Sequence, residues 1–259
     1  MKKLYDKKNN RLVYINKSAT SDFWDDHWAS GDISKVIYSM PNSWIVKVTK
    51  RFLPYNSQIL EGGCGPAKHV YALQKHNYNV VGLDYAKNTV DNLKKVAPEL
   101  NIVLGDVFDL PFNDNSFDGY WSLGVIEHFW DGYDVIIDEM KRTIKSNGYL
   151  FITFPQMSIL RKMKAKINKY KTLTTVKKEP KGFYQFALDP HNVIENVQKR
   201  GFKLVLKESR DGLKGIKDEV KYLNHCLSNI SNLKLKKIIS ELGNMLNYGH
   251  ICLLVFKRL

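Results

Sequence analysis

Cysteine is scarce. Cys64, Cys226 and Cys252 are odd in number and widely spaced, so they form neither a disulfide framework nor a zinc site, and they suit a reducing, cytoplasmic setting. No apolar run approaches the roughly 18 residues that a membrane span needs. Contact with a membrane would therefore be peripheral. The basic start, residues 1–10, lacks the apolar stretch of a secretory signal. No internal repeat and no low-complexity linker is visible.

Acidic residues are also few, and where they are missing matters. Residues 1–130 carry 15 basic and 14 acidic side chains, whereas residues 131–259 carry 25 and 12, so nearly all of the net charge of +14 lies in the second half. A one-sided basic field attracts phosphates, nucleic acid or an anionic membrane surface, although solvated lysines account for it equally well.

After a polar start, helices are expected over 22–29 and 33–51, the second broken or kinked at Pro41. Strand and helix signals then alternate, which predicts a parallel sheet covered on both faces. Strands are expected at 58–61, 79–83, 102–104, 119–122 and 149–154. Helical spacing marks 68–76, 88–96 and 133–144. The stretch 157–182 is basic and poor in strand signals, and reads as an insertion. A helix over 190–200 stopping at Gly201, a strand at 202–207, a helical insertion over 213–247 and an apolar strand at 250–256 complete the chain.

The chemistry-bearing stretch begins at the first of the alternating strands, Ile59-Leu60-Glu61-Gly62-Gly63-Cys64-Gly65-Pro66-Ala67. A strand that ends in glycines and opens a helix brings bare backbone close to a ligand, and side chains at Gly63 and Gly65 would block it. About 20 residues on, Val80-Val81-Gly82-Leu83-Asp84 is a buried strand ending in an acid that can accept from both hydroxyls of a ribose. Two ligands compete. A dinucleotide wants G-x-G-x-x-G, but the register Gly63, Gly65, Lys68 replaces the third glycine by lysine. Glu61 at the strand end would also repel a pyrophosphate, whereas it favours a ligand carrying a sulfonium and an ammonium.

Further motifs follow in order: Gly105-Asp106-Val107, then Leu110-Pro111-Phe112-Asn113-Asp114-Asn115-Ser116-Phe117-Asp118. With Glu61, Gly63, Gly65 and Asp84 the set resembles the class I S-adenosylmethionine-dependent methyltransferases, particularly their type 11, small-molecule branch, over about residues 57–155. The resemblance implies a Rossmann-like α/β fold: a seven-stranded, mostly parallel sheet with an antiparallel last strand, helices on both faces and helical cap insertions. It implies a helical cap over the cofactor site in residues 1–56, and a methyltransferase domain in 57–259 with insertions near 157–189 and 213–247.

Residue roles follow from the same resemblance. Asp84 would hold the ribose, Asp106 would accept from the adenine amino group, and the Val107 N–H would face an adenine ring nitrogen. Backbone near Ser122 and Leu123 would bind the methionine ammonium, and Glu61 would orient the glycine turn. Asp118 is assigned a structural place at a strand start. The next motif, Leu123-Gly124-Val125-Ile126-Glu127-His128, is similar to that of ubiquinone-pathway O-methyltransferases, which use an E-x-x-E-H cluster for a divalent cation. Gly124 stands where their first Glu would, so no metal is expected. Glu127 suits a helix start, and His128 is the first candidate for a general base.

Two aromatic segments flank this frame. Phe23-Trp24-Asp25-Asp26-His27-Trp28 suits either a lid over the cofactor or ordinary helix packing. Tyr184, in Phe183-Tyr184-Gln185-Phe186, is a candidate for the acceptor pocket. The segment 161–181 holds Arg161, Lys162, Lys164, Lys166, Lys169, Lys171, Lys177, Lys178 and Lys181 against Glu179 alone, and is expected to recognise negative charge on the acceptor. The acceptor itself is expected to be a small molecule, glycan or lipid-like compound methylated on O or N. The basic half also admits an RNA methyltransferase, against which stand the lack of an appended RNA-binding module and Trp121-Ser122-Leu123-Gly124 in place of an N/D-P-P-Y amine site. A non-catalytic domain that binds S-adenosylmethionine is the reading from another class.

Overall fold

The computed structural model describes residues 2–29, 31–174 and 178–259. The chain opens with a hairpin, β1 (Lys2–Asp6) and β2 (Arg11–Ile15), followed by α1 (Ser21–Ala29), α2 (Ile33–Ile37) and α3 (Trp44–Thr49). Then come β3 (Gln58–Gly62), α4 (Lys68–Gln74), β4 (Asn79–Asp84), α5 (Lys87–Val96), β5 (Asn101–Leu104) and β6 (Phe117–Leu123). A 3₁₀ turn at Ile126–His128 leads to α6 (Asp134–Thr143), β7 (Ile144–Pro155), α7 (Ile159–Lys166), β8 (Lys171–Thr172) and β9 (Phe183–Ala187). The chain continues through α8 (Pro190–Lys199), β10 (Phe202–Arg210), α9 (Gly212–Glu219), α10 (Lys221–Ser228), α11 (Leu233–Met245) and β11 (Ile251–Arg258).

The main sheet has the order β10-β11-β7-β6-β3-β4-β5. Strands β3 to β7 pair in parallel, and β11 runs antiparallel to both β7 and β10. Side chains alternate between its faces. Leu60, Tyr120, Ile152 and Leu254 pack with Ile136, Ile137 and Met140 of α6 and Val193 and Val197 of α8. Ile59, Trp121, Phe151, Leu253 and Val255 pack with Val70 and Leu73 of α4, Val90 and Leu93 of α5, and Ile45 of α3. Burial on both faces is why the central strands read as unbroken apolar runs. The α8 boundaries follow their sequence signals: the Asp189 carboxylate accepts from the His191 N–H, Pro190 begins the helix, and Gly201 takes φ +87 beyond its end.

Two expectations need correction. Residues 1–56 are not wholly helical, because residues 2–15 form the β1–β2 hairpin, turned at Asn10 with φ 47. The basic insertion, poor in strand signals, supplies β8, and β9 follows directly, giving a second sheet in the order β8-β1-β2-β9. The helix expected over 33–51 is broken at Pro41, as its sequence indicates, into α2 and α3. In the hairpin each strand carries Lys, Arg or Asp, but burial of Leu12, Val13 and Tyr14 against the rest of the fold outweighs the weak local preference.

The second sheet and the helical insertion are joined through one buried acid, Glu219 at the end of α9. Its carboxylate accepts from Lys3 (2.8 Å), Arg161 (3.0 Å), Lys164 (2.7 Å) and the Tyr170 hydroxyl (2.6 Å). Burial alone would raise its pKa, but these donors hold the carboxyl down at about 2.

Candidate active site

The cleft lies at the carboxyl ends of β3, β4, β5 and β6, where the strand order reverses between β3 and β6. Its floor is the turn after β3. The N–H groups of Gly63 and Cys64 both donate to Leu83 O, at 2.8 and 3.0 Å, which ties the turn to β4. Gly63 has φ +74, and a Cβ there would lie 2.6 Å from Val125 Cγ2. Gly65 has φ +49, and a Cβ there would lie 3.0 Å from the Trp28 ring. Both glycines are required by conformation and by space.

Asp84 closes the turn. Its Oδ2 accepts from the Gly65 N–H at 2.7 Å and its Oδ1 from the Ala86 N–H at 3.0 Å. Burial raises its pKa, and the surrounding backbone N–H groups oppose that rise. Asp84 thus braces the turn directly. Glu61 lies beneath the turn, with Oε2 unpartnered. Burial pushes its carboxyl up to about 8, against the pull of Lys68.

Asp84, Asp106, Val107, Leu123, Gly63, Gly65 and His128 line one cavity together. Asp106 stays exposed, and its Oδ1 accepts from the Phe108 N–H at 3.0 Å, which fixes the loop after β5. Ser122 is fully buried and stands behind the wall, paired with Gly62 in the ladder. Asp118 accepts from the Gln58 N–H and from Lys145, both at 2.8 Å, at the opposite ends of the strands.

Helix α1 covers the cleft. Trp24 and Trp28 stack at 6.2 Å and line the cavity, and α1 has no buried residue. Its anchor went unnoticed in the sequence. Asp25 accepts from the N–H groups of Asn88 (3.3 Å) and Thr89 (2.8 Å) and from the Thr89 hydroxyl (2.8 Å). It thus caps α5, whose own N-cap, Ala86, offers no side-chain acceptor. The only signal was the absence of Ser, Thr, Asp or Asn at position 86.

His128 lies at the far end of the cavity, its ring 5.1 Å from that of Trp24 and 5.2 Å from that of Tyr184. Its Nδ1 is 2.7 Å from the Tyr184 carbonyl, which can only accept, so Nδ1 carries the proton and Nε2 keeps its lone pair. Burial pushes its pKa down to about 4, opposed by that hydrogen bond, and the ring is neutral at pH 7. Tyr184 contributes through this carbonyl and its ring, and is not part of the cavity wall. Beside it Glu127 is buried with Oε2 unpartnered, and burial pushes its carboxyl up to about 8.

A second cavity adjoins the first and shares Ala19, Phe108, His128 and Phe129 with it. Trp130, Phe183, Asp131 and Glu179 extend its wall. The basic segment bears on it less than expected. Arg161 and Lys164 are paired with Glu219, and Lys162 with Asp189 at 2.9 Å. Lys177 lies outside the described residues, and Glu179 is the segment's contribution to the wall. Among the described residues no group of three or more His, Cys, Asp or Glu is arranged to hold a metal.

These features define a class of protein: an α/β domain with a glycine turn, two strand-end acids and a neutral histidine around one cleft. Residues 60–152 match the family model described as a methyltransferase domain. Over those residues the chain is similar to class I S-adenosylmethionine-dependent methyltransferases. A probable S-adenosylmethionine-dependent methyltransferase of Mycolicibacterium smegmatis is 31% identical over 97 residues, 38% of this chain and 37% of that protein. The demethylmenaquinone methyltransferase of Staphylococcus carnosus is 32% identical over 112 residues, 40% of this chain and 46% of that protein. The chain thus spans less than half the length of these relatives. An S-adenosylmethionine-dependent methyltransferase of Mesorhizobium loti shares the fold with a TM-score of 0.56 at 12% identity, over 85% of this chain and 100% of that one.

Proposed function

We propose that this protein transfers the methyl group of S-adenosylmethionine to an oxygen or nitrogen of a small-molecule, glycan or lipid-like acceptor. One observation carries the reading: His128 lies where two cavities meet, and the first of them is walled by Asp84, Asp106 and the glycine turn. The cofactor fits the first cavity on physical grounds. Side chains at Gly63 and Gly65 would fill the cradle, and the carboxylates of Asp84 and Asp106 suit a ribose and an exocyclic amine. Glu61 adds negative charge beneath a cationic ligand when ionised.

In this reading Asp84 holds the ribose, while Asp106 and the Val107 N–H hold the adenine. Backbone at Ser122 and Leu123 receives the amino-acid end. Bound S-adenosylmethionine supplies an electrophilic methyl, so the protein's work is placement and exclusion of water. α1 closes the cleft with Trp24 and Trp28. His128 Nε2 orients the acceptor's O–H or N–H and takes its proton as the acceptor grows acidic on methylation. A base with pKa about 4 is weak, but it is unprotonated throughout the physiological range. The demethylmenaquinone relatives and the aromatic wall of the second cavity both favour an apolar small-molecule acceptor. The test is transfer of radiolabelled methyl to lysate fractions of lipids, glycans, RNA and small metabolites. Label in RNA alone would overturn the acceptor class, and binding without transfer to any fraction would favour a non-catalytic domain.

A further inference from the structure

Helix α11 is packed the wrong way round for an ordinary surface helix. Its buried contact is made by Gly243, whose Cα lies against Gly212 of α9, with the partly buried Ser240 on the same side. Its apolar side chains face solvent: Ile238 and Leu242 are 52% exposed and Met245 is 78% exposed, at the i, i+4, i+7 spacing of one helix face. Helix α7 and the residue that ends it repeat the pattern with Ile159, Met163 and Ile167, the last two 56% and 64% exposed, at i, i+4, i+8. The start of α7 lies beside the chain just beyond α11, where the Ile159 N–H donates to Asn247 O at 3.2 Å. Isolated exposed apolar residues need no explanation, but two such stripes on neighbouring segments mark a surface that something covers.

The flanking charge indicates what covers it. Lys234 and Lys237 border the α11 stripe, and Lys166 and Lys169 border that of α7, all exposed. Against them stands Glu241, 3.9 Å from Lys237. A second copy of the same face would bring like charges together. No helix of the described residues is long and apolar enough to cross a membrane, and 13-residue α11 spans only about 20 Å. An apolar stripe edged by lysine on a helix of this length is the composition of a helix lying in the bilayer interface.

We infer that α7 and α11 form a docking surface for an anionic lipid bilayer. The apolar stripes enter the headgroup boundary, and the lysines contact acidic headgroups. α7 follows the carboxyl end of β7, so docking places the cleft side of the sheet toward the membrane.

The test is co-sedimentation of the whole chain with vesicles of phosphatidylcholine alone and of phosphatidylcholine mixed with phosphatidylserine, at low and high salt. Binding is expected to the mixed vesicles and to weaken with salt. The double variant Ile238→Ser, Leu242→Ser should bind roughly tenfold or more weakly, since it removes two aliphatic side chains that would enter the bilayer. Lys234→Glu, Lys237→Glu should lose most of the salt dependence. All these side chains are exposed, so circular dichroism should confirm an unchanged fold. Absence of binding to either vesicle, or equal binding to both, would overturn the inference. So would a concentration-dependent dimer that the serine variant abolishes, because a second copy would then be the cover.

Discussion

Replacement of Asp84 tests the site at its most connected residue. Two of its four carboxylate lone-pair positions are used without any ligand, by the N–H groups of Gly65 and Ala86. The others are available to ribose hydroxyls. Hydrogen bonds to a charged acceptor are each worth about 1.5–3 kcal/mol, so Asp84→Ala should weaken S-adenosylmethionine binding at least roughly tenfold, and a hundredfold if both hydroxyls are held. The same change orphans two N–H groups and should lower stability by about 2 kcal/mol, less whatever is recovered by no longer burying a charge. The two effects separate experimentally. Calorimetric titration with S-adenosylmethionine and S-adenosylhomocysteine reads the first, and urea unfolding reads the second. Lower stability with unchanged affinity would show that Asp84 only braces the turn, and the ribose assignment would be refuted.

Four further outcomes are expected. Asp25→Ala, which removes the cap α1 supplies to α5, should cost about 1 kcal/mol in thermal unfolding and weaken cofactor binding; unchanged affinity would mean that α1 is no lid. His128→Ala should lower turnover far more than cofactor affinity, and the parent's turnover should persist down to about pH 5 because the imidazole protonates only near 4; a loss centred near 6.5 would contradict the burial argument. Glu127 is raised to about 8, so the folded state holds its proton between the ordinary carboxyl range and pH 8, and stability falls as pH rises through that window, by about 3 kcal/mol at pH 7. Glu127→Gln should therefore be increasingly stabilising from about pH 5 to 8 in urea unfolding, and a pH-independent difference would disprove the shift. Glu219 is held down at about 2, so its contribution is complete above the ordinary carboxyl range and is lost as pH falls toward 2; Glu219→Ala should cost about 3–5 kcal/mol near neutrality, and a loss below 1 kcal/mol would show that the network is not what joins the second sheet to the insertion.

Of the fold and the site, whatever depends on local order was legible along the chain. The glycine turn needs φ above zero at Gly63 and Gly65, and few other residues satisfy that in sequence beside a buried strand. Asp84 and Asp106 end strands whose apolar runs are legible one by one, so their convergence at one sheet edge follows from the alternation of strand and helix. The rest emerged only on packing, because it depends on partners distant in the chain. The hairpin of residues 2–15 becomes a sheet only when β8 and β9 supply partners more than 150 residues away, and isolated pairs of strands have little stability in water. The cations at Arg161, Lys162 and Lys164 resembled an anion site in sequence, yet pair internally with acids 27 to 58 positions further on. His128 drew attention as a possible base, but its tautomer is set by the carbonyl of Tyr184, 56 residues away. A linear pattern records which side chains must be buried or turned; which polar group meets which is settled only when the packed chain removes water and leaves each donor a single acceptor in reach.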